Sequence, residues 1–160
     1  MHAAGTPPLH WTTVPFAALS AAQLYQVLQL RSEIFVVEQA CAYLDPDGKD
    51  PAPGVLHLCG RSGDGELLAY CRLLPAGLAF ALPSIGRVVV APAARGRGLA
   101  HRLMEQALAQ CAQGWPGSAL MLGAQQHLAG FYAAHGFAAV SETYLEDGIP
   151  HIDMHRPAAS

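Results

Sequence analysis

The apolar positions of this chain switch between two periods, and the switches mark its elements. Val88, Val89 and Val90 are consecutive β-branched residues, the pattern of a buried strand. A turn rich in Pro and Gly follows. Leu99, Leu103, Ala107, Leu108 and Cys111 then recur at helical spacing on one face, and Gly114-Trp-Pro-Gly117 stops that helix. Upstream, Leu9 to Val14 predicts a short strand. Ser20 and Gln23 predict a capping box opening a helix, with Leu19 and Leu24 as its hydrophobic staple. Leu24, Val27, Leu28 and Phe35 continue the apolar face of that helix, with Arg31 near its edge. Val55 to Arg61 and Glu66 to Leu74 flank Ser62-Gly-Asp-Gly65, which predicts a hairpin. Residues 75–84 are a turn-rich connection, and Ile85 to Val90 returns to the sheet. Downstream, Ala119 to Leu122 predicts a strand and Gln125 to Gly136 a helix with Leu128, Phe131 and Tyr132 apolar. Phe137 to Val140 and Ile149 to Met154 predict two more strands around residues 141–148. Strands interleaved with helices over mostly short loops give an α/β (α+β) fold, one layer of sheet covered by helices.

Composition narrows the class. A chain of 160 residues is long enough for one real core, so a single domain over residues 1–160 is expected, with residues 1–8 a flexible lead. With 52% hydrophobic and only 13% charged residues, the chain is not disordered. A net charge of -3 offers no footprint for nucleic acid. The apolar region from Leu73 to Val90 is cut by Pro75, Gly77, Pro83, Gly86 and Arg87, which rules against a membrane span. The start of the chain lacks the basic-then-apolar pattern of a signal peptide, and Cys41, Cys59, Cys71 and Cys111 show no paired spacing. Free thiols in a cytoplasmic protein are the expectation.

Chemistry concentrates in a few places. Arg95-Gly-Arg-Gly-Leu-Ala100 sits between the buried strand and the central helix. Its glycines let a ligand approach the main chain, and the helix presents unpaired N–H groups there, so the stretch predicts a pyrophosphate cradle. It lacks the Gly-Lys-Ser/Thr of a nucleoside triphosphate loop and the third small residue of the dinucleotide fingerprint. Asp45, Asp47 and Asp50 read either as oxygen ligands for a cation or, preferably, as capping residues of a polar loop. Arg72, in mid-strand, needs a partner carboxylate or a bound anion, and Arg87 raises the same question. His57 reads as a satisfied core or a ligand-facing histidine. His151, Asp153 and His155 alternate on one strand face, a weak metal pattern that leaves no metal site expected.

Arg95, Gly98 and Ala100 in the order Arg-x-x-Gly-x-Ala resemble the acetyl-coenzyme A loop of the Gcn5-related N-acetyltransferases (GNAT). Phe131-Tyr-Ala-Ala-His-Gly-Phe137 resembles the same family's motif beside the cofactor sulfur. Leu30-Arg-x-x-Ile-Phe-Val-Val-Glu-Gln39 and Tyr144 to Met154 resemble its ElaA-like branch, so the similarity spans most of residues 10–155. The resemblance implies a GNAT fold: a central mixed, mostly antiparallel sheet of six to seven strands, splayed between the fourth and fifth, with about four helices. It places acetyl-CoA in the V. Val88, Val89 and Val90 would pair with the pantetheine arm, and Gly96, Arg97, Gly98, Leu99, Ala100 and His101 would take the pyrophosphate, with charge from Arg95 and Arg97. Gln125 stands where many relatives carry a pantetheine-binding asparagine.

The implied activity is N-acetylation of a small-molecule or peptide amine by direct attack on the thioester. Tyr132 matches the family's general acid. The base stays open among Glu38, His57, Glu142 and His151, because the strand from Ile85 to Ala91 carries no carboxylate. Glu38, Arg72, Glu142 and His151 are the acceptor-binding candidates. Arg72 with Arg87 suits an acidic acceptor, whereas Glu38 and Asp45 suit a cationic one. Two other readings stand beside this one: a non-catalytic acetyl-CoA-binding sensor on the same fold, and a metal-dependent hydrolase, for which no coherent ligand set is found. A homodimer stays open.

Overall fold

The computed structural model describes residues 8–158; the lead over residues 1–7 lies outside them. Eight strands form one sheet in the order β1-β2-β3-β4-β5-β8-β6, with β7 also paired to β8. The strands are β1 (His10–Pro15), β2 (Leu56–Arg61), β3 (Leu67–Leu74), β4 (Ser84–Val90), β5 (Leu120–Gln125), β6 (Ala138–Ala139), β7 (Tyr144–Glu146) and β8 (Ile149–Arg156). The helices are α1 (Ala21–Arg31), α2 (Leu99–Gly114) and the short α3 (Ala129–Ala133). The pairing is antiparallel except between β4 and β5, which are parallel and share one bridged pair, Ser84 with Met121. The two strands then diverge, and the sheet is splayed there as the resemblance implied.

The core lies where both faces of the sheet are covered. All eight residues of β3 are buried, and Leu99, Leu103, Met104, Ala107 and Cys111 of α2 pack into the same cluster. The capping box of α1 forms as its sequence predicts: Gln23 N–H donates to Ser20 Oγ at 3.1 Å, and Ser20 N–H to Gln23 Oε1 at 3.0 Å. Beyond Arg31 the helix does not simply continue to Phe35. It widens into a π-helical segment, Ser32–Glu38, closed by bonds such as Gln39 N–H to the Ile34 carbonyl at 3.1 Å.

Three further elements differ from the sequence reading. The helix expected from Gln125 shrinks to α3, because β8 is long enough to pair β5 through Gln125. The count of strands rises to eight because Tyr144–Glu146 folds back on β8. The turn of that hairpin is Asp147-Gly148, both at positive φ (50° and 77°), the geometry that Asp-Gly favours. Within β4, Arg87 and Val88 oppose Cys71 alone, since Tyr70 pairs Val89 and Arg72 pairs Gly86. This β-bulge puts Arg87 at φ 52°.

The loop after the π-helical segment is clamped by an ion network. Arg31, fully buried, donates from Nε to Asp45 at 2.8 Å and from Nη1 to Asp50 at 2.7 Å. Arg72 donates to Asp47 at 2.9 and 2.6 Å and to Asp50 at 3.1 Å. Arg87 Nε lies 2.8 Å from Asp45. The three carboxylates are therefore neither a cation site nor mainly capping groups. They neutralise three arginines that the sheet and α1 bring inward, and only Asp47, accepting the Lys49 N–H at 3.0 Å, also caps a turn. His57 is the satisfied core histidine: its Nε2 must donate to the Asp50 carbonyl (3.0 Å), so Nδ1 accepts from the Tyr70 hydroxyl (2.7 Å).

The network makes stability depend on pH. Burial alone would raise the Asp47 carboxyl, but the Arg72 hydrogen bonds, the Lys49 N–H and two arginine charges hold it well below its ordinary range. Asp50 is lowered in the same way, against burial, by Arg31 and Arg72. Burial lowers His57, keeping it neutral. All three groups bind fewer protons folded than unfolded, so their contribution is complete above the unfolded pKa values and is lost as pH falls. Urea titrations should show a plateau near neutrality, a decline below about pH 6.5 and a steeper one below about pH 4; stability that rises on acidification would contradict this. Arg31→Met strips the fully buried guanidinium from two buried carboxylates, leaving Asp45 to Arg87 and Asp50 to Arg72 alone, and should cost about 3–5 kcal/mol in the same titration. A loss under about 1 kcal/mol would remove the clamp from the account.

Candidate active site

The divergence of β4 from β5 opens a cleft of about 860 Å³ whose walls are β4, β5, α3, the π-helical segment and the β7–β8 hairpin. On the β5-facing edge of β4, beyond Ser84, no strand among the described residues pairs with Val88 to Val90, and these residues line the cleft. Their main-chain groups on that side are therefore open to a ligand.

At one end the turn from Arg95 to Gly98 meets the N-terminus of α2. Gly96 and Gly98 stand at φ 80° and 73°, conformations that side chains disfavour, and no atom lies within 4 Å of where a Cβ would sit on either. Gly98 is the N-cap, offers no side-chain acceptor, and the helix ladder starts with Arg102 N–H to the Gly98 carbonyl at 3.2 Å. The N–H groups of Leu99, Ala100 and His101 precede that bond and face outward at the positive end of a 16-residue helix. This open cradle fits a phosphate or pyrophosphate. Arg95 and Ala100 line the cleft beside it, whereas the His101 ring turns to α3, with Nδ1 2.8 Å from His135 Nε2.

In the middle of the cleft, Tyr132 of α3 is buried, 7% exposed, against Phe131 and Phe137. Burial, with a smaller contribution from Cys71, pushes its hydroxyl far above the ordinary tyrosine value, so it stays protonated. Cys71 lies on β3 opposite the bulge of β4, which ties the bulge, Tyr132 and the cleft floor into one packed unit.

The opposite wall carries the polar candidates. Gln125 ends β5, pairs in register with His151 of β8, and donates from Nε2 to Gln39 Oε1 at 3.0 Å. Glu38 Oε1 lies 2.8 Å from Arg95 Nη1, and both side chains are about half-exposed. His151 Nδ1 lies 2.7 Å from the Ile149 carbonyl, so in the neutral ring Nδ1 carries the proton and Nε2 the lone pair. Nε2 faces Glu146 Oε2 at 3.5 Å, and the ring stacks on Tyr144. The Tyr144 hydroxyl in turn donates to Asp153 at 2.6 Å. Tyr144, Glu146 and Asp147 line the cleft but were not among the sequence candidates; the Asp-Gly turn that places them was the readable signal.

Several candidates are placed elsewhere. Glu142 is exposed and does not line the cleft. His57 is fully buried with both ring nitrogens engaged, so it cannot reach a substrate. Asp45, 2% exposed, is consumed by Arg31 and Arg87 and is not free to attract an amine. Arg72 lines the cleft floor, but its terminal nitrogens are spent on Asp47 and Asp50, which explains an arginine in mid-strand without a bound anion. Among the described residues no group of three or more His, Cys, Asp or Glu side chains is arranged to hold a metal, and no helix among them is long and apolar enough to cross a membrane.

This geometry has relatives. The profile of the "Acetyltransferase (GNAT) domain" matches residues 63–157. The protein ElaA of Escherichia coli is 45% identical over 148 residues, 92% of this chain and 96% of ElaA. The chain belongs to the GNAT acetyltransferase family. The crystal structure of E. coli ElaA superposes with a TM-score of 0.87 at 44% identity, covering 93% of this chain and 99% of that one. A crystal structure described as an acyl-CoA N-acyltransferase from Pseudomonas aeruginosa gives a TM-score of 0.89 at 48% identity, with 93% and 99% covered. As a GNAT protein the chain is an acyltransferase; the fold is associated with acyl-CoA cosubstrates and amine-bearing acceptors.

Proposed function

We propose that the chain works as a single-domain, acetyl-CoA-dependent N-acetyltransferase that acetylates a primary amine by direct attack on the thioester. The observation that carries the reading is the meeting, in one cleft, of an open phosphate cradle, an unpaired strand edge and a protonated Tyr132. The cradle N–H groups of residues 96–101 and the Arg95 and Arg97 charges suit the pyrophosphate. The free edge of Val88 to Val90 suits the pantetheine amides, and the Gln125 amide lines the same cleft as a further hydrogen-bonding group for them. Acetyl-CoA supplies an acetyl group already activated as its thioester.

Two proton movements then fall to the chain. The attacking amine must shed a proton as its nitrogen bonds to the acetyl carbon, and the sulfur must gain one as the carbon–sulfur bond breaks. His151 lines the cleft, and its Nε2, 3.5 Å from Glu146 Oε2, holds the lone pair in the neutral ring; it takes the amine proton, directly or through a water. The Tyr132 hydroxyl gives its proton to the departing sulfur. General acid and base catalysis of this kind is worth about 10²–10⁴-fold each. The acceptor approaches between the π-helical segment and the β7–β8 hairpin, where Glu38, Glu146 and Asp147 are the carboxylates not consumed by the arginine network. That balance favours a cationic amine.

The test is release of free coenzyme A from acetyl-CoA across a panel of primary amines. Tyr132→Phe should lower kcat by about 10²-fold or more with little change in coenzyme A affinity. His151→Gln should lower kcat/KM similarly. Full activity in either variant would strip that residue of its role. Coenzyme A binding without amine-dependent release would favour the sensor reading instead.

A further inference from the structure

Two side-chain contacts reach across the cleft to Arg95 and Gln125, and both come from adjacent residues of one segment. Glu38 closes the π-helical segment and reaches Arg95 of the cradle at 2.8 Å. Gln39 follows it and accepts from Gln125 at the end of β5 at 3.0 Å. Arg95 and Gln125 are the two side chains placed for the phosphate and pantetheine ends of the ligand, 30 positions apart in sequence and on different elements. Each is occupied by a group that imitates the ligand: a carboxylate for a phosphate, a side-chain amide carbonyl for a pantetheine amide. The backbone holds the two residues there. The segment is wound as a π-helix, a form that recurs at functional sites, and Ala40 turns at φ 50° immediately after it. Downstream, the Cys41 thiol donates to the Asp147 carbonyl at 3.3 Å, and the arginine-bound Asp45 anchors the loop.

We propose that Glu38 and Gln39 form a latch that competes with the cofactor for Arg95 and Gln125 and is displaced when coenzyme A binds. The inference rests on the proposed cofactor reading and adds an autoinhibitory contact to it. In the cofactor-free protein Glu38 and Arg95 neutralise each other across the cleft. When a phosphate takes Arg95, the Glu38 carboxylate is released into the acceptor half of the same cleft, where it is an uncompensated anion available to an ammonium group. Cofactor affinity is thereby set below what the cradle alone would give, and the acceptor side gains its charge only in the loaded protein.

The test measures coenzyme A affinity by calorimetry in the full chain. Glu38→Gln should tighten binding about two- to fivefold, the size expected of a half-exposed ion pair, and Gln39→Ala should tighten it as well. The Glu38 effect should vanish in an Arg95→Gln background, where no guanidinium remains to be released. Hydrogen exchange gives a second readout. On adding coenzyme A, residues 95–101 should become protected while residues 36–41 exchange faster. Unchanged or weaker affinity in Glu38→Gln, the same effect with and without Arg95, or protection of residues 36–41 overturns the latch while leaving the cofactor reading intact. Absence of coenzyme A binding by the wild-type chain overturns both.

Discussion

The parting of β4 from β5 is the constraint on which the rest depends. Parallel neighbours normally share a ladder, yet these two share only Ser84 with Met121. Closing them would bury the cleft side of Val88 to Val90 and satisfy its main chain; leaving them apart exposes polar backbone to water in a groove, where a ligand's amide groups can replace that water. Everything around the groove serves to keep it open and shaped. The bulge at Arg87 and Val88 bends β4 opposite Cys71, α2 starts at the far end with unpaired N–H groups, and α3 sets Tyr132 against the floor.

The second support is electrostatic. Arg31, Arg72 and Arg87 come from a helix and two strands, and their charges converge on Asp45, Asp47 and Asp50 of one loop. Four of these six charges are buried and Arg87 and Asp47 are half-buried, an arrangement that is stabilising only if most donors and acceptors are paired, so the loop has little freedom to move. The loop forms part of the cleft wall, with Tyr43, Asp47 and Lys49 among the lining residues. The network therefore converts a Pro- and Gly-rich stretch, which alone would be floppy, into a fixed wall, and it removes three carboxylates and three guanidinium groups from contention as substrate anchors.

How much of this was legible in the residues depends on the range of the interaction involved. The strand–turn–helix unit from Val88 to Cys111 is local, carried by β-branched residues, turn glycines and a 3.6-residue apolar stripe, and it forms as read. The capping box at Ser20 is equally local. Arg72 was readable as a residue needing a partner, but its partners lie 25 and 22 positions away, and nothing nearby in sequence distinguishes them from turn formers. The π-helical widening after Arg31 has no periodic signature over seven residues. The end of β5 was hidden because Gly123 and Gln125 are poor strand formers that pair only because β8 presents partners. The β7–β8 hairpin was open to recognition from Asp147-Gly148, and with it Tyr144 and Glu146 as cleft residues.

The central claim is that the cleft and its glycine cradle bind acetyl-CoA. The most direct measurement is thermal unfolding of the wild-type chain and of Gly98→Asp with acetyl-CoA, with NADH and ATP as controls. Gly98 has open space for a side chain, so the variant's main defects are a carboxylate in the cradle and a left-handed backbone that costs about 1–2 kcal/mol. At ligand about 100-fold above its dissociation constant the wild type should gain roughly 2.7 kcal/mol, an upward shift of about 5–10 °C, with acetyl-CoA alone. The variant should unfold cooperatively and show no shift. Equal shifts in both proteins, or none in the wild type, would contradict the account.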